Sequence, residues 1–223
     1  MKLNRTLILG SRSPRRQFLM KELGYTFSIG TPEGDESFSA AMEVTRVPQY
    51  LAQKKASTFV AKINSEIVMT ADTVVILGNT ILNKPTDRAD AIRMLTDLSG
   101  KTHLVITAVC LLSSNKTICF DDRTEVTFNK LTLAQIEDYV DTYNPLDKAG
   151  SYGAQECLPP ETNPCSSEEI NFLNEMGKFE LIAKSLGNHK GLPALSAINK
   201  IHGSYFNVMG LPIHKVHKHL HDF

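Results

Sequence analysis

The sequence predicts an α/β domain, because apolar, β-branched runs alternate along the chain with segments of helical spacing. The first apolar run is Leu7–Gly10, and a longer one covers Glu66–Leu77. Between Thr86 and Ser99 the apolar residues instead recur at the intervals of one helical face. Strands that alternate with helices are typical of α/β folds.

Start and stop signals place the other elements of the N-terminal half. Pro14 is expected at the first position of a helix, where its missing N–H costs no hydrogen bond. Gly24 ends that helix after about Leu23. Gly78-Asn79 is a turn signal behind the second strand, and Gly100 closes the second helix.

Two more strands and a third helix are predicted beyond Gly100. The strands cover His103–Leu112 and Thr124–Phe128. Thr132 is the expected N-cap of the helix, which ends before Asn144-Pro145. We interpret the whole chain, 1–223, as a single domain with one insertion.

The segment from Cys157 to about Ala197 differs in composition from the rest and is interpreted as that insertion. It begins with a Pro- and Ser-rich stretch, and Ser166 with Glu169 then forms a capping-box pattern. We expect one amphipathic helix here, packed on the body of the domain, on a partner subunit or over the functional site. The residues expected on its apolar face are Ile170, Leu173, Met176 and Phe179.

Composition and charge argue against several classes of function. The 223 residues include 24 Lys+Arg and 24 Asp+Glu, whereas a sequence-independent nucleic-acid binder needs a basic surplus. No apolar run approaches the ~18–20 residues that span a bilayer, so no membrane partner is expected. The N-terminal apolar stretch is too short for a signal peptide, which makes the cytoplasm the expected compartment. The four cysteines follow no metal-ligand spacing.

The first helix begins with a candidate phosphate site. Ser13 is the expected N-cap, and Arg15 and Arg16 follow in the first turn. A helix N-terminus offers free N–H groups and partial positive charge, and guanidinium groups bind phosphate oxygens in pairs. The alternative is a capped surface helix whose arginines are solvated.

A carboxylate interrupts the longest apolar strand. Burial of Asp72 is unfavourable unless the carboxylate is paired or binds a metal, which makes it a candidate base or metal ligand. Its alternative roles are to cap a loop or to pair with a lysine. Lys84, which follows the turn at Gly78-Asn79, either reaches back to a cleft that contains Asp72 or is simply exposed.

Other polar segments allow more than one interpretation. Glu36 belongs to the acidic pair Asp35-Glu36, and Lys55 belongs to the basic pair Lys54-Lys55. Each pair also suits a solvated face. Gln155 lies in a glycine-rich loop and offers an amide that can both donate and accept a hydrogen bond. The C-terminal histidines suit a metal pair or, as we prefer, a solvated last helix. They are His214, His217, His219 and His221.

Taken together, these segments resemble the Maf family of nucleoside triphosphate pyrophosphatases. The resemblance covers Leu7 to about Glu156 and resumes at His202. Its motifs are, in order, SRSPRR, DES, QKKA, ADTVV, NKP, LSGKTH, DKAGSYGAQE and NVMGLP. The resemblance implies a mixed twisted sheet with flanking helices and a central cleft, similar to the inosine triphosphate pyrophosphatases. It also allows a homodimer.

The resemblance implies hydrolysis of a nucleoside triphosphate to the monophosphate and pyrophosphate with a divalent metal cation, Mg²⁺ or Mn²⁺. By position, Asp72 resembles the family's catalytic base and a metal ligand, and Glu36 resembles its second acidic metal-site residue. The residues that match its phosphate-binding set are Ser13, Arg16, Lys55 and Lys84.

Three positions imply the preferred base. Arg15, Thr73 and Gln155 match the residues of family members that favour dTTP and UTP. The main departure from the family's pattern is the insertion after Glu156. It leaves open a pyrophosphatase for CTP or modified nucleotides. A separate alternative is a nucleotide-binding regulator of cell division without appreciable turnover.

Overall fold

A mixed β-sheet forms the centre of the molecule. The computed structural model describes residues 3–159, 162–187 and 195–223. The strands within these ranges are β1 (Leu7–Leu9), β2 (Phe27–Ile29), β3 (Ile67–Leu77), β4 (Thr80–Leu82), β5 (Thr102–Leu112), β6 (Thr117–Phe128) and β7 (Ile198–His202). Their order is β2-β1-β3-β5-β6-β7, and β4 also pairs with β3. The predicted α/β class is confirmed.

Helices cover both faces of this sheet. They are α1 (Pro14–Glu22), α2 (Val47–Ser57), α3 (Arg88–Leu98), α4 (Leu133–Tyr143), α5 (Ala154–Cys157), α6 (Ser167–Glu175), α7 (Leu181–Leu186), α8 (Tyr205–Val208) and α9 (Ile213–His221). On one face, Ala52 and Ala56 of α2 pack with Val68 and Ala108. On the other, residues of α1, α3, α4 and α9 form the main core. No helix in the described ranges is long and apolar enough to cross a membrane.

The sheet opens into a cleft beside the middle of β3. On one edge of β3, β1 pairs with residues 67–69 and β4 pairs with residues 75–77. The opposite edge pairs with β5 without a break from residue 68 to residue 76. Residues 70–74 therefore have no strand partner on the first edge within the described structure. This interrupted pairing produces the expected central cleft.

Several elements lack the periodic signal that sequence analysis uses. β2 is three residues long and mostly exposed, and it was not indicated. The helix α2 and the strand β4 were not indicated either. β6 begins at Thr117 rather than at Thr124, because pairing with β5 holds a first half that is mostly only partly buried. These elements depend on neighbouring strands and helices more than on their own patterns.

The described part of the segment 157–197 contains the two helices α6 and α7, so the expectation of one amphipathic helix is wrong. Gly177 separates α6 from α7, and its φ of +62° favours glycine. Leu173 and Leu181 are buried in the main core, whereas Phe179 is half exposed. The described part of the segment therefore packs on the body of its own chain. Residues 160–161 and 188–194 lie outside the described structure.

Candidate active site

The cleft beside β3 contains a cavity of about 640 Å³. Its wall combines the start of α1, the loop before α2, the middle of β3 and the loops that precede α5 and α9. All but one of the site residues predicted from the sequence line this cavity. They are Ser13, Arg15, Arg16, Glu36, Lys55, Asp72, Thr73 and Lys84.

Two carboxylates converge on one ammonium group in this cavity. Because side chains alternate along a strand, Asp72 lies on the face of β3 that α2 covers, where it meets Lys55. Lys55 Nζ is 2.5 Å from Asp72 Oδ1 and 2.8 Å from Glu36 Oε1. Asp72 is only 7% exposed, whereas Glu36 lies in an exposed loop. The structure thus shows Asp72 paired with a lysine, and the pair lies on the cavity wall.

The two carboxylates differ in their affinity for protons. Burial raises the pKa of Asp72 above its ordinary value, although the positive charge of Lys55 opposes this shift. The hydrogen bond from Lys55 lowers the pKa of Glu36 and outweighs the effect of partial burial. Two carboxyl groups whose pKa values move apart suit different roles, with the raised pKa favouring the one that accepts a proton.

The same two carboxylates suit a divalent cation. Mg²⁺ and Mn²⁺ prefer oxygen ligands and are commonly held by one or two carboxylates, with water and phosphate oxygens completing the coordination. Asp72 and Glu36 provide this donor set, since both contact the same ammonium group. The described ranges hold no cluster of three or more His, Cys, Asp or Glu side chains that would bind a metal alone. A cation here would complete its coordination with oxygen atoms from water or from the substrate.

Arg16 is held by acceptors of the protein itself. Its Nε donates to the carbonyl oxygen of Gly210 at 2.8 Å, and its Nη1 donates to that of Ala71 at 2.9 Å. Its Nη2 donates to Thr73 Oγ1 at 3.0 Å. Burial lowers the pKa of Arg16 to about 10, so the guanidinium stays charged at neutral pH. These bonds favour a positioning role for Arg16 over the phosphate binding that the family resemblance implies.

Other polar groups of the cavity are better placed to meet a ligand. Arg15 Nε is buried and has no hydrogen-bond partner among the described residues. Lys84 is exposed on the cavity wall. Ser13 has the extended backbone of an N-cap, as predicted, but its side chain makes no capping hydrogen bond. The N-terminus of α1 therefore brings a hydroxyl group, a guanidinium and partial positive charge to the cavity.

A model of the family described as Maf-like protein matches residues 6–159. The chain belongs to this family. The dTTP/UTP pyrophosphatase of Flavobacterium psychrophilum is 39% identical over 97% of this chain and 94% of that protein. The dTTP/UTP pyrophosphatase of Porphyromonas gingivalis is 37% identical over 97% of this chain and 94% of that protein. The dTTP/UTP pyrophosphatase of Bacteroides fragilis is 38% identical over 96% of this chain and 94% of that protein. The solved Ham1 protein of Staphylococcus aureus shares 11% identity at a TM-score of 0.43, over 56% of this chain and 72% of that one.

In this Maf-like chain, Gln155 is the predicted site residue that does not line the cavity. Its Oε1 is buried without a partner in the described structure, and its Nε2 is 3.5 Å from Glu156 Oε1. Glu156 accepts a hydrogen bond from the Tyr139 hydroxyl at 2.6 Å and lies 3.7 Å from Lys148 Nζ. These contacts anchor the glycine-rich loop. The residues of that loop on the cavity wall are Asp147, Ala149 and Tyr152.

The last helix of the Maf-like chain is present, as predicted, but it is not solvated throughout. His214 is buried, and His217 Nδ1 lies 2.9 Å from the Tyr25 hydroxyl. His221 Nδ1 lies 3.0 Å from the carbonyl oxygen of His217. The described residues show no metal-binding cluster that includes these side chains.

Sequence analysis missed Thr107, which lies behind Thr73. Thr107 is fully buried in β5, and its Oγ1 is 2.9 Å from Thr73 Oγ1. The available signal was the one that singled out Asp72, namely a polar residue within an otherwise apolar strand. Asp72 and Thr73 lie on opposite faces of β3, so Thr107 supports the wall of the cavity that faces away from α2.

Proposed function

We propose that this protein hydrolyses dTTP and UTP to the nucleoside monophosphate and pyrophosphate, with Mg²⁺ or Mn²⁺ as cofactor. The convergence of Asp72 and Glu36 on Lys55 in the cavity carries the proposal. The choice of nucleotides is supported by the dTTP/UTP pyrophosphatases that align with nearly the whole chain.

The proposed reaction separates the α and β phosphates. A water oxygen attacks the α-phosphorus, and the bond from this phosphorus to the bridging oxygen breaks. Asp72 accepts the proton of the water, a role that its raised pKa favours. The pyrophosphate leaves with the bridging oxygen. A divalent cation held by Asp72 and Glu36 would supply positive charge beside the phosphates.

The basic groups of the cavity bind and orient the triphosphate in this proposal. Lys55 and Lys84 offset the negative charge of the phosphates, and Arg15 and Ser13 donate hydrogen bonds to phosphate oxygens. The flexible side chain of Lys55 allows its ammonium group to move from the carboxylates to the substrate. Arg16 supports this arrangement through its contacts with the protein.

The base is proposed to lie near Arg15 and Thr73, which line the cavity. The role of Gln155 in specificity stays a prediction, since this residue lies outside the wall. The single-domain organisation with an insertion at 157–197, the homodimer and the cytoplasmic location also stay predictions.

Pyrophosphate release by the purified protein tests the proposal. The assay compares dTTP, UTP, CTP, the purine triphosphates and modified nucleoside triphosphates with Mg²⁺ or Mn²⁺. The Asp72→Asn protein is the control for a contaminating enzyme. Release should peak with dTTP and UTP and yield one pyrophosphate per monophosphate. Orthophosphate as the first product would contradict the proposed bond cleavage. A peak with CTP or a modified nucleotide would overturn the base assignment, and binding without release would favour a regulator.

A further inference from the structure

Glu169, which lies beyond the segment matched by the family model, is a fully buried carboxylate. Its Oε2 accepts the capping-box hydrogen bond from the N–H of Ser166. In addition, Ser204 Oγ donates to Oε1 at 2.5 Å, and the N–H groups of Tyr205 and Phe206 donate at 3.0 Å each. A capping box needs only an exposed glutamate. The burial of Glu169 is therefore explained by its hydrogen bonds with the start of α8.

A chain of hydrogen bonds runs from this contact to the cavity. Ser204 Oγ accepts from the N–H of Asn207 at 2.9 Å. The side-chain oxygen of Asn207 accepts from the N–H of Thr107 at 2.9 Å, and its carbonyl oxygen accepts from Thr107 Oγ1 at 2.8 Å. Thr107 Oγ1 lies 2.9 Å from Thr73 Oγ1. Glu169 is therefore connected through buried groups to a residue on the cavity wall.

The direction of these bonds determines what Thr73 offers to a ligand. The Thr107 hydroxyl donates its only hydrogen to Asn207, so Thr73 is the donor between the two hydroxyl groups. Thr73 Oγ1 also accepts from Arg16 Nη2 at 3.0 Å. Its hydrogen is thus occupied, and its remaining lone pair is an acceptor. Uracil and thymine carry an imide N–H that can donate to this acceptor, whereas cytosine has an unprotonated ring nitrogen at the same position.

We propose that Glu169 is a positioning residue that keeps Thr73 an acceptor for the imide N–H of a uracil or thymine base. This inference rests on the proposed function, because it places the base beside Thr73. The segment 157–197 acts on selectivity through the interior of the protein, since none of its described residues lines the cavity.

The ratio of kcat/KM for UTP to that for CTP tests the inference. Glu169→Ala is expected to lower this ratio about tenfold, mainly through a higher KM for UTP, because a loosened polar contact discriminates less. Ser204→Ala removes one hydroxyl from the same chain and should act in the same direction if Glu169→Ala does not fold. Glu168→Ala removes the neighbouring carboxylate, which is 76% exposed, and should keep the ratio.

A double-mutant cycle separates positioning from a purely structural role. If Glu169 acts through Thr73, Glu169→Ala should not change the ratio further in a Thr73→Val background. Independent effects, or a lower melting temperature with an unchanged ratio, would overturn the inference.

Binding measurements distinguish failure of this inference from failure of the proposed function. Dissociation constants for non-hydrolysable UTP and CTP analogues apply the same comparison without turnover. A protein that binds the UTP analogue tightly, and loses this preference in Glu169→Ala, but releases no pyrophosphate would contradict the proposed hydrolysis and support the positioning role. Equal binding of both analogues by the wild type would overturn the positioning role.

Discussion

Two buried carboxylates, Asp72 and Glu169, are held in opposite ways. Glu169 is enclosed by hydroxyl and amide donors that are fixed by the backbone of α6 and α8. Asp72 instead meets the flexible ammonium of Lys55 on the wall of a cavity. Fixed donors leave a carboxylate no alternative partner, whereas a lysine can move to another negative group. Burial alone therefore does not distinguish a carboxylate that can meet a ligand from one that holds the fold together, and the partner and the position on a cavity wall must be considered with it.

The largest effect is expected at the carboxylate with the exchangeable partner. Asp72→Asn keeps the shape of the side chain but removes its capacity to accept a proton. Turnover should fall by about 10²–10⁴-fold, the usual contribution of a general base. Pyrophosphate release measures the loss, and calorimetric titration with a non-hydrolysable dTTP analogue should show that nucleotide binding is retained. Full turnover in this variant would contradict the role of Asp72 as base.

The carboxylate with fixed donors should matter most for stability. Glu169→Ala leaves the buried donors of Ser204, Tyr205 and Phe206 without their acceptor, which should lower the free energy of unfolding by about 3 kcal/mol. Urea titration measures this change. The control is Glu168→Ala, because the neighbouring side chain is 76% exposed. Equal stability of the two variants would show that the buried contacts of Glu169 contribute little.

A smaller, pH-dependent effect is expected for Asp72. Burial raises its pKa in the folded state, so folding favours the protonated form. The stability that this group contributes is present below its unfolded pKa of about 3.9 and is lost as the pH rises through the folded value. Asparagine does not ionise.

Melting temperatures without added metal, measured between about pH 4 and pH 7.5, test this sign. The wild type should lose stability relative to Asp72→Asn as the pH increases. A difference that stays constant, or changes in the other direction, would mean that pairing with Lys55 outweighs burial.

The smallest effect is expected at an exposed carboxylate. Asp141 accepts two hydrogen bonds from Arg88 on the protein surface, at 2.6 and 2.8 Å. Exposed ion pairs gain little because water and salt screen them. Asp141→Asn should therefore leave both the melting temperature and pyrophosphate release unchanged. A clear loss of either would show that the geometry of a carboxylate's partners matters more than its burial.

Local signals were sufficient for several elements and site residues. Pro14 starts α1 as predicted, and Thr132 caps α4 through a capping box. The capping box of Ser166 and Glu169 is also present. Asp72 was recognised because a carboxylate stands out in an apolar strand. Each of these signals lies within a few neighbouring residues, where backbone geometry and side-chain chemistry act directly.

The sequence by itself determined the α/β class and the family, and all but one of the site residues that it predicted line the cavity. Only the tertiary structure decided that Arg16 binds the carbonyl oxygen of Gly210, that Gln155 lies off the wall and that Glu169 is buried against Ser204. These outcomes depend on contacts between residues far apart in the chain. No local period or motif encodes such a contact, because it forms only when packing brings the two segments together.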